Sequence, residues 1–229
     1  FVKVDQATLF DLILLRSLAS KSFCLHFSKS VTSSLVSALP LGLLNVLSLD
    51  DQLKLFRKYI SKLRAAVGEN TTSTIISLSV YLVCAGSNDI TNTYFSSPVR
   101  SLKYNIPSYA NIMVNWAATF TKELYALGAR SISVTTAPPA GCLPSQRTLK
   151  GGPFRECSAK ENQAAITYNK KLHYELRFLR QRLPGLKIAL LDVYTPLLDL
   201  IMNPSHYEKK GKAGSNKRNA RINTKCACK

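Results

Sequence analysis

The chain is poor in acid and in histidine. Asp and Glu number 13 against 31 Lys and Arg, and only His26, His173 and His206 occur in 229 residues. So few imidazoles restrict the general bases and metal ligands on offer. The residues three positions before them are Phe23, Lys170 and Asn203, so no acid-x-x-His pair is present to orient an imidazole as a base. A Gly-x-Ser-x-Gly nucleophile elbow is also missing. No second Cys or His lies two to four residues from Cys142 or Cys157, and Cys226-Ala227-Cys228 is too tightly spaced for a zinc knuckle, so no metal site is expected. No apolar run is long enough to span a bilayer: the stretch from Leu9 to Leu18 is short and carries Asp11 and Arg16. The start of the sequence shows no basic segment followed by an apolar run and a small-residue cleavage site.

Scarce acid leaves a net charge of +18, and its distribution matters more than its size. From Glu208 to Lys229 eight basic residues face one acid, a net +7, whereas from Asp50 to Tyr207 nineteen face ten, a net +9 spread over several helices. The end of the chain therefore reads as a solvated, disordered basic tail, able to contact an anionic surface. No aromatic residue follows Tyr207 to stack on bases, and nucleic acid is not an expected partner.

With 46% hydrophobic residues the length suits one sizeable α/β domain. Residues 1–46 keep no steady period. Beyond them the signal sharpens. Ser48-Leu49-Asp50-Asp51 reads as a capping box ahead of Leu53, Phe56, Ile60, Leu63 and Val67 at helical spacing, with Gly68 as the stop. Helices are also expected over 74–79, 107–127, 157–183 and 194–202, and strands over 80–85, 131–136 and 187–193. This alternation predicts right-handed crossovers and a three-layer α/β/α sandwich around a mostly parallel, flavodoxin-like sheet. The loops at Gly86, Ala137 and Tyr194 then share one edge.

At that edge the apolar run Val80 to Ala85 stops on Gly86-Ser87-Asn88-Asp89, which places a side-chain amide at the carboxyl end of a strand, where ligands collect. Such an amide can donate a hydrogen bond to an oxyanion. The plainer alternative is that Asn88 and Asp89 cap the following helical turn. Taken with Ala137-Pro138-Pro139-Ala140-Gly141-Cys142-Leu143-Pro144-Ser145-Gln146-Arg147 and Asp192-Val193-Tyr194-Thr195-Pro196-Leu197-Leu198-Asp199, the stretch resembles the plant GDSL-type esterases/lipases, a branch of the SGNH hydrolases.

The resemblance runs from about Leu47 to Tyr207 and divides the chain into a poorly matching segment 1–46, a GDSL/SGNH hydrolase-like domain 47–207 and the tail 208–229. It implies a secreted hydrolase of small-molecule or lipid carboxylic esters, working through a serine acyl-enzyme with no cofactor. Asn88 is then the oxyanion-hole donor, supported by the turn residues Gly86 and Asp89. The family's Gly-Asp-Ser and Asp-x-x-His do not occur in this sequence. Where its second block has a glycine amide, the chain reads Ala19-Ser20-Lys21-Ser22-Phe23, with lysine instead. Weak or absent activity follows from that reading, and the alternative is a non-catalytic binding protein with a basic surface-binding tail. Without the family's first strand, one sheet edge is expected to lie bare unless another segment covers it.

Cys142 and Cys157 bracket a Gly- and Pro-rich loop as a loop-closing disulfide would, and the family suggests the same pairing. A disulfide implies an oxidising compartment. Asn70-Thr71-Thr72 is the one acceptable N-glycosylation sequon in the sequence.

Overall fold

Ser48 starts the first helix by satisfying amides that the helix itself cannot. Its hydroxyl accepts from Asp51 N at 3.1 Å, while its own amide donates to the Asp51 carboxylate at 3.2 Å. The resulting helix α1 (Leu49–Val67) buries Leu53, Phe56, Ile60 and Leu63, the stripe expected from their spacing. It ends at Gly68, whose φ of +79° lies where an L side chain is strained. The structure, a computed structural model, describes residues 48–96 and 98–207 together with the backbone of residues 22–23. Apart from that short stretch, the expectations for 1–46, and those for the tail 208–229, lie outside the described residues.

A second helix, α2 (Glu69–Leu78), follows Gly68 at once and begins five residues before the expected position 74. Its first turns carry no apolar period. The Thr72 and Thr74 hydroxyls instead donate back to the carbonyls of Gly68 and Asn70, at 2.7 and 2.9 Å. Three strands appear within the stretches expected, as β2 (Val80–Val83), β3 (Ser131–Thr135) and β4 (Lys187–Leu191). They pair in parallel, with Val80 opposite Ser131 and Ser131 opposite Lys187.

A further parallel strand, β1 (Ser22–Phe23), lies beside β2 with Ser22 opposite Val80, giving the order β1-β2-β3-β4. It was not expected, because two residues are too few to show alternation. It occupies the edge of β2 that the sequence left bare.

Crossovers of the length parallel pairing demands are supplied by α4 (Ile106–Ala126) and α6 (Ala159–Arg182). The shorter helices are α3 (Pro98–Lys103), α5 (Pro144–Lys150) and α7 (Tyr194–Met202). Helix α4 packs on α6 and on α1. The Phe56 ring of α1 meets the Tyr81 ring of β2 edge to face at 5.7 Å, which places these helices over the sheet face that holds Tyr81, Val83, Ile132 and Val134. Those four side chains are buried to 0% exposure and form the centre of the core with Leu124, Leu172 and Leu179. The parallel α/β class expected from the alternation of elements is the one observed.

Candidate functional site

The loops after β2, β3 and β4, three βα loops among the described residues, leave the same end of the sheet because all strands run the same way. The first of them makes its bend at Gly86, with φ of +108°. A Cβ there would stand 2.8 Å from the Tyr168 ring of α6 and 3.2 Å from the Met113 methyl of α4. The turn is thus pressed directly onto the two crossover helices, and glycine alone combines that φ with that closeness.

From Gly86 the chain coils into a wide helical turn, Asp89–Tyr94, closed by i+5 bonds such as Phe95 N to Ile90 O at 3.1 Å. Asn88 enters that turn with helical angles, φ −68° and ψ −33°, and its side chain makes no capping bond. The plain capping role is therefore not the geometry found for Asn88. Its side-chain oxygen accepts from Asn92 Nδ2 at 3.3 Å. Asn88 is half-buried while its neighbour Asp89 is 1% exposed. Burial first, and then the Asp89 charge, raise the pKa of the Tyr109 and Tyr168 hydroxyls above the ordinary phenol value. The acid is thus directed inward, and the amide stays at the rim.

The loop after β3 is held by two asparagines of α6. Asn169 donates to Ala137 O at 2.9 Å and accepts from Ala137 N at 2.7 Å, and Asn162 accepts from Gly141 N at 2.8 Å. Cys142 and Cys157 are joined, with Cα atoms 4.4 Å apart, as the sequence suggested. Lys150 of α5 donates to the buried Glu161 carboxylate at 2.5 Å and fastens the far side of the same loop. Sequence reading missed these anchors. The only hint was the spacing of Asn162 and Asn169, two helical turns apart on one face of a basic helix.

After β4, Asp192 accepts from Tyr194 N at 2.9 Å, Thr195 N at 3.3 Å and the Thr136 hydroxyl at 3.2 Å, and so joins the second and third loops. Burial acts to raise the Asp192 pKa, but these hydrogen bonds outweigh it and hold the carboxyl below its ordinary value. A depressed carboxyl contributes stability that is present above about pH 4 and is lost as the pH falls through the folded value. Thermal midpoints followed from about pH 6 down to pH 3 are expected to fall less steeply for Asp192→Asn than for the parent chain.

Among the described histidines, His173 borders this rim. His173 is exposed on α6 with its ring edge-on to Tyr174, and His206 follows α7. Neither the Ser87 nor the Ser145 hydroxyl hydrogen-bonds a histidine among the described residues. A shallow groove of about 390 Å³ does open at this end of the sheet, between Thr136, Asn169, His173, Asp192 and Tyr194. Grooves of about 360 and 370 Å³ lie elsewhere, beside α2 and between α1 and α4.

Residues 28–215 match the family model described as GDSL-like Lipase/Acylhydrolase, a span that includes the strand-end turn, the disulfide and Asp192. The chain belongs to this family. Among its relatives in Arabidopsis thaliana, GDSL esterase/lipase EXL3 is 44% identical over 165 residues, covering 72% of this chain and 45% of the relative. GDSL esterase/lipase EXL2 is 45% identical over 161 residues, covering 70% of this chain and 42% of the relative. GDSL esterase/lipase At3g14820 is 44% identical over 165 residues. The chain thus spans somewhat less than half the length of these GDSL relatives. Within that span it brings Gly86, Asn88 and Asp89 into one turn and bonds Cys142 to Cys157. No helix among the described residues is long and apolar enough to cross a membrane.

Proposed function

We propose that this chain is a GDSL-type carboxylic ester hydrolase family protein whose strand-end turn forms the oxyanion side of the site, in which the Asn88 side-chain amide donates to the oxyanion of a tetrahedral acyl intermediate. The observation that carries this reading is the geometry of the Gly86–Asn88 turn. A rim-placed amide with its oxygen end engaged sits at the carboxyl edge of a parallel sheet, in a family of lipases and acylhydrolases. Such a donor acts where negative charge develops and costs no reorganisation when the reaction occurs. Asp89 serves as an inward anchor, and the Asn169 and Asn162 clamps keep the neighbouring loop in place. Small-molecule or lipid esters are the substrate class, and the disulfide supports an extracellular or other oxidising location.

Attack on an ester also needs a nucleophile and a base to take its proton. This sequence contains neither Gly-Asp-Ser nor Asp-x-x-His, so the polypeptide on its own retains only what oxyanion stabilisation and binding supply. The purified chain is expected to hydrolyse p-nitrophenyl butyrate no faster than a buffer blank. Clear turnover that persists in Asn88→Ala would show that another group performs the chemistry and would remove Asn88 from the site.

A further inference from the structure

The sequon Asn70-Thr71-Thr72 has no part in the strand-end site, and its placement allows a definite use. Asn70 is the second residue of α2 and is exposed, as are Glu69 and Thr71 on either side. Its side-chain amide makes no hydrogen bond among the described residues; only its backbone carbonyl is engaged, by Thr74. Nothing has to be displaced for a bulky group to sit on Nδ2.

The position also lies at the end of the sheet opposite the candidate site. Arg64 pairs with Glu69 at 2.7 Å, and Arg64, Thr72 and Ser73 line one groove with Leu127, Gly128 and Arg130, the residues that lead into β3. Asn88 follows the exit of β2. A group on Asn70 therefore leaves the rim that carries Asn88 open.

We propose that Asn70 carries an N-linked glycan, added while the chain enters the oxidising compartment that its Cys142–Cys157 disulfide requires. The donor is a polyprenyl-pyrophosphate-linked oligosaccharide. Asn70 Nδ2 forms a bond to the anomeric carbon of the reducing sugar, the bond from that carbon to the pyrophosphate oxygen breaks, the lipid pyrophosphate leaves with the electron pair, and one amide proton passes to a base of the transferase.

The structure sets the order of events. Thr72, whose hydroxyl completes the sequon, is 1% exposed in the folded chain and donates that hydroxyl to Gly68 O at 2.7 Å. A transferase that must reach this hydroxyl can do so only before α2 has packed. Transfer therefore precedes folding, and the folded, unmodified chain is a poor acceptor.

The test is translation of the full chain behind a cleavable leader in the presence of endoplasmic-reticulum microsomes. Protease protection identifies the translocated molecules. These are expected to show a single step to lower mobility that peptide-N-glycosidase reverses, leaving a carboxylate at position 70 in the mass spectrum. Asn70→Gln and Thr72→Val should abolish the step, and Thr72→Ser should retain it. Purified folded chain offered to detergent-opened microsomes should stay unshifted, whereas the same chain denatured first should shift. Protected parent chain without the step, or a step that survives Asn70→Gln, overturns the assignment. Efficient modification of the folded chain overturns the order of events.

Discussion

Gly86→Ala is expected to destabilise the domain by about 2–4 kcal/mol, read as a lower urea midpoint with an unchanged slope. Two costs act together. A φ of +108° lies outside the range an alanine adopts without strain, and the new methyl would approach the Tyr168 ring to 2.8 Å and the Met113 methyl to 3.2 Å. Tyr168 cannot easily retreat, because it is 1% exposed and packed within α6. Relief has to come from the turn, which would carry Asn88 away from its observed position. The variant should thus lose both stability and the geometry of the amide. A control at Gly152, which also has positive φ but open space around its Cβ position, should incur the backbone cost without the packing cost.

Loss of the Cys142–Cys157 bond is expected to cost about 3 kcal/mol, the chain-entropy value for a closed loop of this size. The two cysteines are 15 residues apart, and their bond closes a loop that also contains α5. The Cys142→Ser, Cys157→Ser double variant should unfold at correspondingly lower urea than the oxidised parent, and dithiothreitol should bring the parent down to the same midpoint. The loop should not come away altogether, because Lys150 with Glu161 and Asn162 with Gly141 hold it from within. A parent chain insensitive to reductant would mean that those polar anchors alone set the loop's stability.

What could be read in advance was whatever the local period controls. Helix α1 announces itself through Ser48, Asp51 and an apolar stripe. Strands β2 and β4 are short, mainly apolar runs and β3 alternates polar with apolar residues, each followed closely by Gly, Pro or Asp, and α7 begins and ends at the residues expected from its pattern. The early start of α2 was hidden because Asn70 to Thr74 form a polar turn held by threonine hydroxyls, not by buried apolar groups. Helix α5 was hidden for a related reason: Pro144 to Lys150 buries only Gln146. Strand β1 depends entirely on its neighbour and has no signal of its own.

The candidate site divides in the same way. Asn88 stood out because an apolar strand stops on a Gly-Ser-Asn-Asp turn. The wide helical turn that carries it and the burial of Asp89 did not, since both depend on how α4 and α6 close over that turn. Asn162 and Asn169 look like ordinary solvent-facing amides of a basic helix until the loop after β3 is folded back onto them.

Joining this domain to an amino-terminal segment that carries the Gly-Asp-Ser and a carboxyl-terminal segment that carries the Asp-x-x-His implied by the family resemblance would complete a site around Asn88, and p-nitrophenyl butyrate turnover by that polypeptide is the most direct measurement. The account predicts measurable hydrolysis that Asn88→Ala lowers by about 10²- to 10³-fold in kcat with little change in KM. Equal kcat for Asn88 and Ala at this position would contradict it.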